Sequence, residues 1–417
     1  MDYNDLIDSL LSKIWIIIFS IISINILYIP IYKRCVNGLL DPLLIGLVFS
    51  SLANSVPFYL FSVGLMRLEL LLFIILSEFS FWGVFYNTHV RLKYKYSKPS
   101  DDSFIEKIGF LSLLMVVVLQ LCIYKLNGIP LFNESRFTAT GGNDTIVNLL
   151  QRLISPFMIF LCLYCFKKME QRSRKGFCFF LIILIISFLS GSKSFILFLV
   201  SGYFFYNFFY KGITPHLRWY IIFIIILTPL ITLYNKSDNA LGAYLYRLIG
   251  NGDIYWNAVY NDAIDYVKID NPFINQTHLF WGPFRYLIGF KPGPNDMAIV
   301  GESIMEYAYS HVSGVPNSRI PVLGWIYFRW FGLLFSAFMG WISAYLIKKV
   351  PDMYNGNMIS VFYKCSFYSI GVSFITDGYL GFSSLLSILF FSIVVGFVRL
   401  INQINRDGKI VNYNNQL

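Results

Sequence analysis

Apolar residues run along this chain in long unbroken stretches, without the alternation of a half-buried strand or the one-sided stripe of a surface helix. Reading each stretch of roughly 17 to 24 apolar residues as a membrane span predicts about eleven helices, at 10–30, 42–65, 68–87, 106–126, 146–166, 177–191, 194–210, 219–234, 323–346, 358–376 and 379–398. One of them is short. Phe177 to Gly191 reaches only about 22 Å at the helical rise, against a hydrocarbon core of about 30 Å. The turn Ser190-Gly191-Ser192-Lys193-Ser194 is therefore expected below the outer surface, where irregular backbone must line a wet recess or be buried in protein, with Lys193 a cation inside it.

The pattern breaks once at length, between Asn235 and Pro321. A connector this long inside a compact protein is functional or disordered, and its Trp, Tyr and Phe content argues against disorder. Within it, 239–250 and 253–268 read as amphipathic helices suited to the headgroup boundary, with Asn257, Asn261 and Asp265 sharing a polar stripe. The Pro- and Gly-rich stretch 271–294 predicts irregular backbone, and 302–310 a short helix. The expected division is 1–234 for the first eight spans, 235–322 for the external loop and 323–417 for the last three spans with a tail.

Composition agrees with the spans. Hydrophobic residues make up 56% of the 417 and charged residues 13%, about half the charge of a soluble domain. The expected class is an all-α polytopic membrane protein. The acidic N-terminus (Asp2, Asp5, Asp8) and the lack of a small-residue cleavage site do not fit a cleaved signal peptide. The net charge of +10 is a topology signal, since Lys and Arg gather in short connectors around 33, 93, 171 and 349 and in the tail, which places these inside. The long loop carries six Lys/Arg against eight Asp/Glu, so no nucleic-acid partner is implied. Six scattered cysteines, including Cys162 and Cys165 in an apolar helix, read as small core hydrophobes.

The residues able to do chemistry are few. No phosphate-binding glycine loop, zinc cluster or serine nucleophile elbow is present, so neither metal nor cofactor is expected. What remains is a set of outward cations: Arg136, Lys193, Arg247, Arg285 and Arg319, with Arg152 and Arg329 deeper. Arginine binds phosphate oxygens bidentately and stays charged, so several such groups suit a lipid pyrophosphate; pairing with loop carboxylates is the plainer alternative. Glu78, in the middle of the third span, either counters a buried cation or belongs to a proton path. Glu302 or His311 could serve as general base on a sugar hydroxyl, with Asp253 and Asp296 weaker candidates.

Three features together resemble the O-antigen polymerases, the Wzy-type oligosaccharide repeat-unit polymerases. They are the many spans, the turn Leu189-Ser190-Gly191-Ser192-Lys193-Ser194, and one large outer loop late in the chain that exits through Gly301-Glu302-Ser303, Ile320-Pro321-Val322-Leu323-Gly324 and Arg329-Trp330-Phe331-Gly332-Leu333. Lys193 stands where relatives often carry Arg, and the paired-arginine loop motifs of some members are not clearly present. The resemblance implies a GT-C-like, metal-independent inverting glycosyltransferase in a bacterial cytoplasmic membrane. Its partners would be undecaprenyl-pyrophosphate-linked oligosaccharides, membrane lipids and a chain-length regulator protein. An O-antigen ligase and a flippase for lipid-linked units are the alternatives.

Overall fold

The computed structural model describes residues 12–88, 102–129, 145–189, 193–215, 252–285, 289–309, 316–353 and 357–414. All regular structure among these residues is helical. The first half contributes α1 (Ile14–Cys35), α2 (Pro42–Ser62), α3 (Leu68–Thr88), α4 (Asp102–Asn127), α5 (Thr145–Glu170), α6 (Arg174–Leu189) and α7 (Lys193–Phe205), the last continued by a π-helix over Tyr206–Lys211. The loop contributes α8 (Asp253–Val259), α9 (Ala263–Tyr266), α10 (Pro272–Trp281) and α11 (Val300–Tyr309). The remainder is α12 (Ile320–Phe328), a 3-10 turn at Arg329–Phe331, α13 (Gly332–Met353), α14 (Met358–Thr376) and α15 (Leu380–Asn414).

Among the described residues, eight helical stretches are long and apolar enough to cross a membrane, so the chain is a multi-pass membrane protein by length and composition. Two of the expected spans appear as the shorter α6 and α7, and 219–234 lies outside the described residues. Charge follows the helix ends. Lys33 and Arg34 close α1, and Lys167 and Lys168 close α5, at the end of the bundle opposite the loop helices.

Water does not drive helices together inside a bilayer, so close approach at small residues has to hold them. Gly340 on α13 sits against the backbone of α3, where an added Cβ would stand 2.3 Å from the Phe81 carbonyl oxygen. Gly371 on α14 likewise faces the Ser343 carbonyl, and Gly109 on α4 lies under the Tyr164 ring. Hydrogen bonds join the same seams: Ser77 to Ser336 at 2.6 Å, and Ser343 Oγ to the Gly371 carbonyl at 2.6 Å.

The stretch expected as one span over 323–346 is two helices folded against each other. In a continuous helix Gly324 and Gly332 would be about 12 Å apart along the axis. Here a Cβ on Gly332 would lie 2.3 Å from the Gly324 carbonyl oxygen. The chain reverses at Arg329, which adopts φ 51° and ψ −130°, a region that bulky residues rarely enter. α12 is thus a re-entrant half-helix. The segment before it descends into the bundle, α12 climbs back along α3 toward the loop side, and α13 then crosses.

Two local expectations in the loop are also corrected. The helix over 253–268 is broken because Asn261 and Asp262 both take left-handed conformations (φ 52°), so the polar stripe through Asn257, Asn261 and Asp265 does not exist. The region 271–294 is not irregular throughout. Asn271 accepts hydrogen bonds from the amides of Phe273 and Ile274, and Pro272 occupies the first turn of α10, a strong helix start.

The glycine contacts separate two substitutions. Gly340→Leu forces the α3–α13 seam apart and should destabilise the protein by about 1–3 kcal/mol or more. Gly83→Ala meets nothing within 4 Å and should be neutral or gain up to about 1 kcal/mol. Melting of the detergent-solubilised protein checks this; equal melting of the two variants would contradict the seam.

Candidate functional site

Arg319 is the residue on which the re-entrant segment turns. It stands immediately before α12 and is 2% exposed. Nine residues of helix, about 13 Å, separate it from the reversal at Arg329. On α3, Glu78 lies eleven residues beyond Arg67, a similar descent. Arg319 and Glu78 therefore share one level deep in the bundle, while Arg67 and Arg329 share another near the loop side.

A guanidinium stays charged at any relevant pH, so burying it requires fixed polar groups. α2 supplies them from the run Ser50-Ser51-Leu52-Ala53-Asn54-Ser55. Arg319 Nη2 donates to Ser50 Oγ at 2.9 Å and to Asn54 Oδ1 at 3.2 Å. Tyr255, carried in by α8, donates to the same Asn54 oxygen at 3.0 Å, and Tyr28 of α1 lies 3.4 Å from Ser50 Oγ. Glu78 balances the charge electrostatically without a direct ion pair, and Trp82 Nε1 holds one of its oxygens at 2.9 Å. A cavity of about 10 Å³ lies between them, lined by Ser50, Glu78, Trp82, Arg319 and Phe374 among others. It has room for about one water molecule.

Two features of this arrangement are unspent. Arg319 Nε is buried with no hydrogen-bond partner, a state that buried polar groups in native structures rarely keep. In the first turn of α12 the amides of Ile320 and Val322 also lack helical acceptors, Pro321 having none to offer, and the dipole there favours an anion. A cation at a helix N-terminus is electrostatically misplaced as a structural element and well placed as part of an anion site.

Two further acidic groups lie close by. Asp377, between α14 and α15, accepts from the Tyr379 amide at 2.8 Å, while its neighbour Gly378 donates to the Ser318 carbonyl at 3.0 Å. Burial pushes the Asp377 carboxyl up to about 6. Asp253 opens α8, two residues before Tyr255; its Oδ1 has no partner and burial raises it to about 7. Around them a polar weld fixes the loop. Asn275 Oδ1 accepts from Tyr327 and Tyr379, and Gln276 Nε2 donates to the Gly378 carbonyl at 2.6 Å.

Of the cations expected to gather around a pyrophosphate, Arg319 alone among those with described side chains faces this cavity. Arg329 is not deep in the bundle, because the hairpin lifts it to the loop side. There its side chain is half exposed and shares Asp265 with Arg67, at 2.6 and 2.5 Å. Burial raises the Asp265 carboxyl, but the bonds from Arg329 and Arg67 outweigh it and hold it below its usual range. Arg285 follows α10 and lies 2.6 Å from the Met297 sulfur. Lys193 begins α7, with its side chain outside the described residues; Arg136, Arg247, His311 and the turn 190–192 also lie outside them.

Glu302 is on α11, partly buried, and does not line the cavity. Asp296 is committed to structure, with its two oxygens taking the amides of Asn271 and Gly293 at 2.7 Å each. His278 is 4% exposed, and burial lowers its pKa. The sequence reading missed Ser50, Asn54 and Asp377. The polar run inside the second span was the available signal for the first two, since side chains of that kind in a span mark function or helix contact.

Asp253 gives a pH signature. Its folded pKa of about 7 lies above the ordinary 3.8, so the folded chain keeps the proton longer than the unfolded one. The stability this group contributes is complete below about pH 4 and is lost as pH rises toward about 7. Asp253→Asn should therefore remove part of the fall in melting temperature between about pH 5 and about pH 8; an identical fall in both proteins would contradict the burial. Comparisons with models of protein families, with curated proteins and with solved structures find no match for this chain.

Proposed function

We propose that the protein is a glycosyltransferase that joins lipid-pyrophosphate-linked oligosaccharide units into a polysaccharide on the outer face of a bacterial cytoplasmic membrane, as the resemblance to the Wzy-type polymerases implies. The observation that carries this reading is the buried Arg319, with its free Nε, at the N-terminus of the re-entrant α12. An acceptor hydroxyl attacks the anomeric carbon, the new C–O bond forms as the bond to the pyrophosphate oxygen breaks, and the polyprenyl pyrophosphate leaves with inversion at that carbon. The chief demand on the protein is to stabilise negative charge growing on the leaving group. A preorganised cation and helix amides in a water-poor recess meet that demand best.

The acceptor hydroxyl's proton goes to a carboxylate or to water. Asp253 and Asp377, held near neutrality by burial, join Glu302 and His311 as candidate bases, because a base works best with a pKa near the working pH. With room for about one water in this state, the cavity takes a diphosphate only if the descending segment 316–319 moves.

A broken span with a charged residue at its inner end also suits a carrier of lipid-linked units, which is the second reading. One experiment separates them. Arg319→Ala, with the protein still in the membrane, should lower long-chain glycan by about 100-fold or more and leave single repeat units, with Arg319→Lys retaining part of the activity. Normal chain lengths in Arg319→Ala would contradict the charge-stabilisation mechanism. Build-up of units on the inner leaflet would favour the carrier.

A further inference from the structure

A second cavity, of about 220 Å³, lies between α5, α7, α14 and α15, away from Arg319. Seven serines from these four helices line it, and no ionisable side chain does so among the described residues. The remaining wall is apolar, with Phe198 and Phe205 on one helix. A cavity of this size lined only by hydrocarbon would stay dry, whereas one studded with hydroxyls is wet or filled by a polar ligand.

The hydroxyls are not all used by the fold. Ser373 donates to the Ile370 carbonyl at 2.8 Å and Ser384 to the Leu380 carbonyl at 2.9 Å, which occupies their protons and leaves acceptor lone pairs. Ser366 is 2% exposed and its Oγ has no partner at all. A buried hydroxyl left bare is costly, and it lines the cavity. Ser155, on the exposed side of α5, marks an opening.

This lining selects by chemistry. A phosphate or carboxylate would find no cation there. A lipid tail would leave the Ser366 hydroxyl bare. A neutral sugar ring carries hydroxyls that both donate and accept around its edge, and apolar C–H faces that suit phenylalanine rings. We propose that the serine-lined cavity is a binding site for a neutral sugar unit, which on the glycosyltransferase reading above is part of the glycan being extended.

Binding is read without any transfer activity, by saturation-transfer NMR on the detergent-purified full chain with millimolar methyl β-glucopyranoside and, separately, glucuronate. The wild type should transfer saturation to the neutral glycoside and not to the anion. Ser366→Ala/Ser373→Ala should bind about tenfold more weakly, the effect of two lost hydrogen bonds. Ser366→Ala should melt no lower than the wild type, because its hydroxyl supports nothing in the fold.

No transfer in the wild type, unchanged binding in the double variant, or a lower melting temperature in Ser366→Ala would each overturn the proposal. Failure of the glycosyltransferase reading would show separately, as unaltered glycan in Arg319→Ala cells.

Discussion

A permanently charged guanidinium held in the middle of an apolar bundle is the constraint around which this protein is arranged. Water cannot solvate Arg319, so α2 turns Ser50 and Asn54 toward it, α8 reaches in with Tyr255, and α3 places Glu78 at the same depth. Breaking such a buried set leaves an uncompensated charge and costs about 3–5 kcal/mol. A set that costly to maintain, and still incompletely satisfied at Nε, has a physical rationale as a site that is completed by an anion.

The hairpin of α12 and α13 is what makes that burial possible. A straight span would have carried Arg319 out to the surface. Folding back at Arg329, with Gly324 pressed on Gly332, exposes helix-end amides inside the protein and sends the two arginines to opposite ends of α12. Their fates follow from position. Arg329 shares a partly exposed carboxylate with Arg67, an arrangement near the surface that is worth little to stability, whereas Arg319 governs the interior. The described part of the loop is therefore more than a connector: α8 and α10 supply contacts that hold the descending segment in place.

Much of the architecture was legible from hydropathy alone, because a helix that must satisfy its own backbone in hydrocarbon leaves a long apolar run. Glu78 was legible for the same reason, as a carboxylate where none is tolerated without purpose. The hairpin was not, since averaging hydropathy along 320–351 sees one apolar stretch and is blind to a reversal that two glycines and one left-handed arginine create. α10 was hidden by Pro and Gly density, although Asn271-Pro272 is a helix start in plain view. Within the expected cation cluster, Arg285 and Arg329 were over-read: charge signs along a loop do not say which side chains converge, and carboxylates such as Asp265 claim arginines locally. The serine cavity draws on four helices; Ser366, Ser369 and Ser373 share one face of α14, but nothing local says that Ser155, Ser201, Ser384 and Ser387 meet them there.

The most direct test of the account is a double-mutant cycle on melting temperature with Glu78→Gln, Arg319→Gln and the pair together. If the two charges answer each other across the cavity, each single variant melts well below the wild type and the double variant melts above at least one of them. Additive losses would mean that the two groups do not sense each other, and the buried charge site described here would not exist.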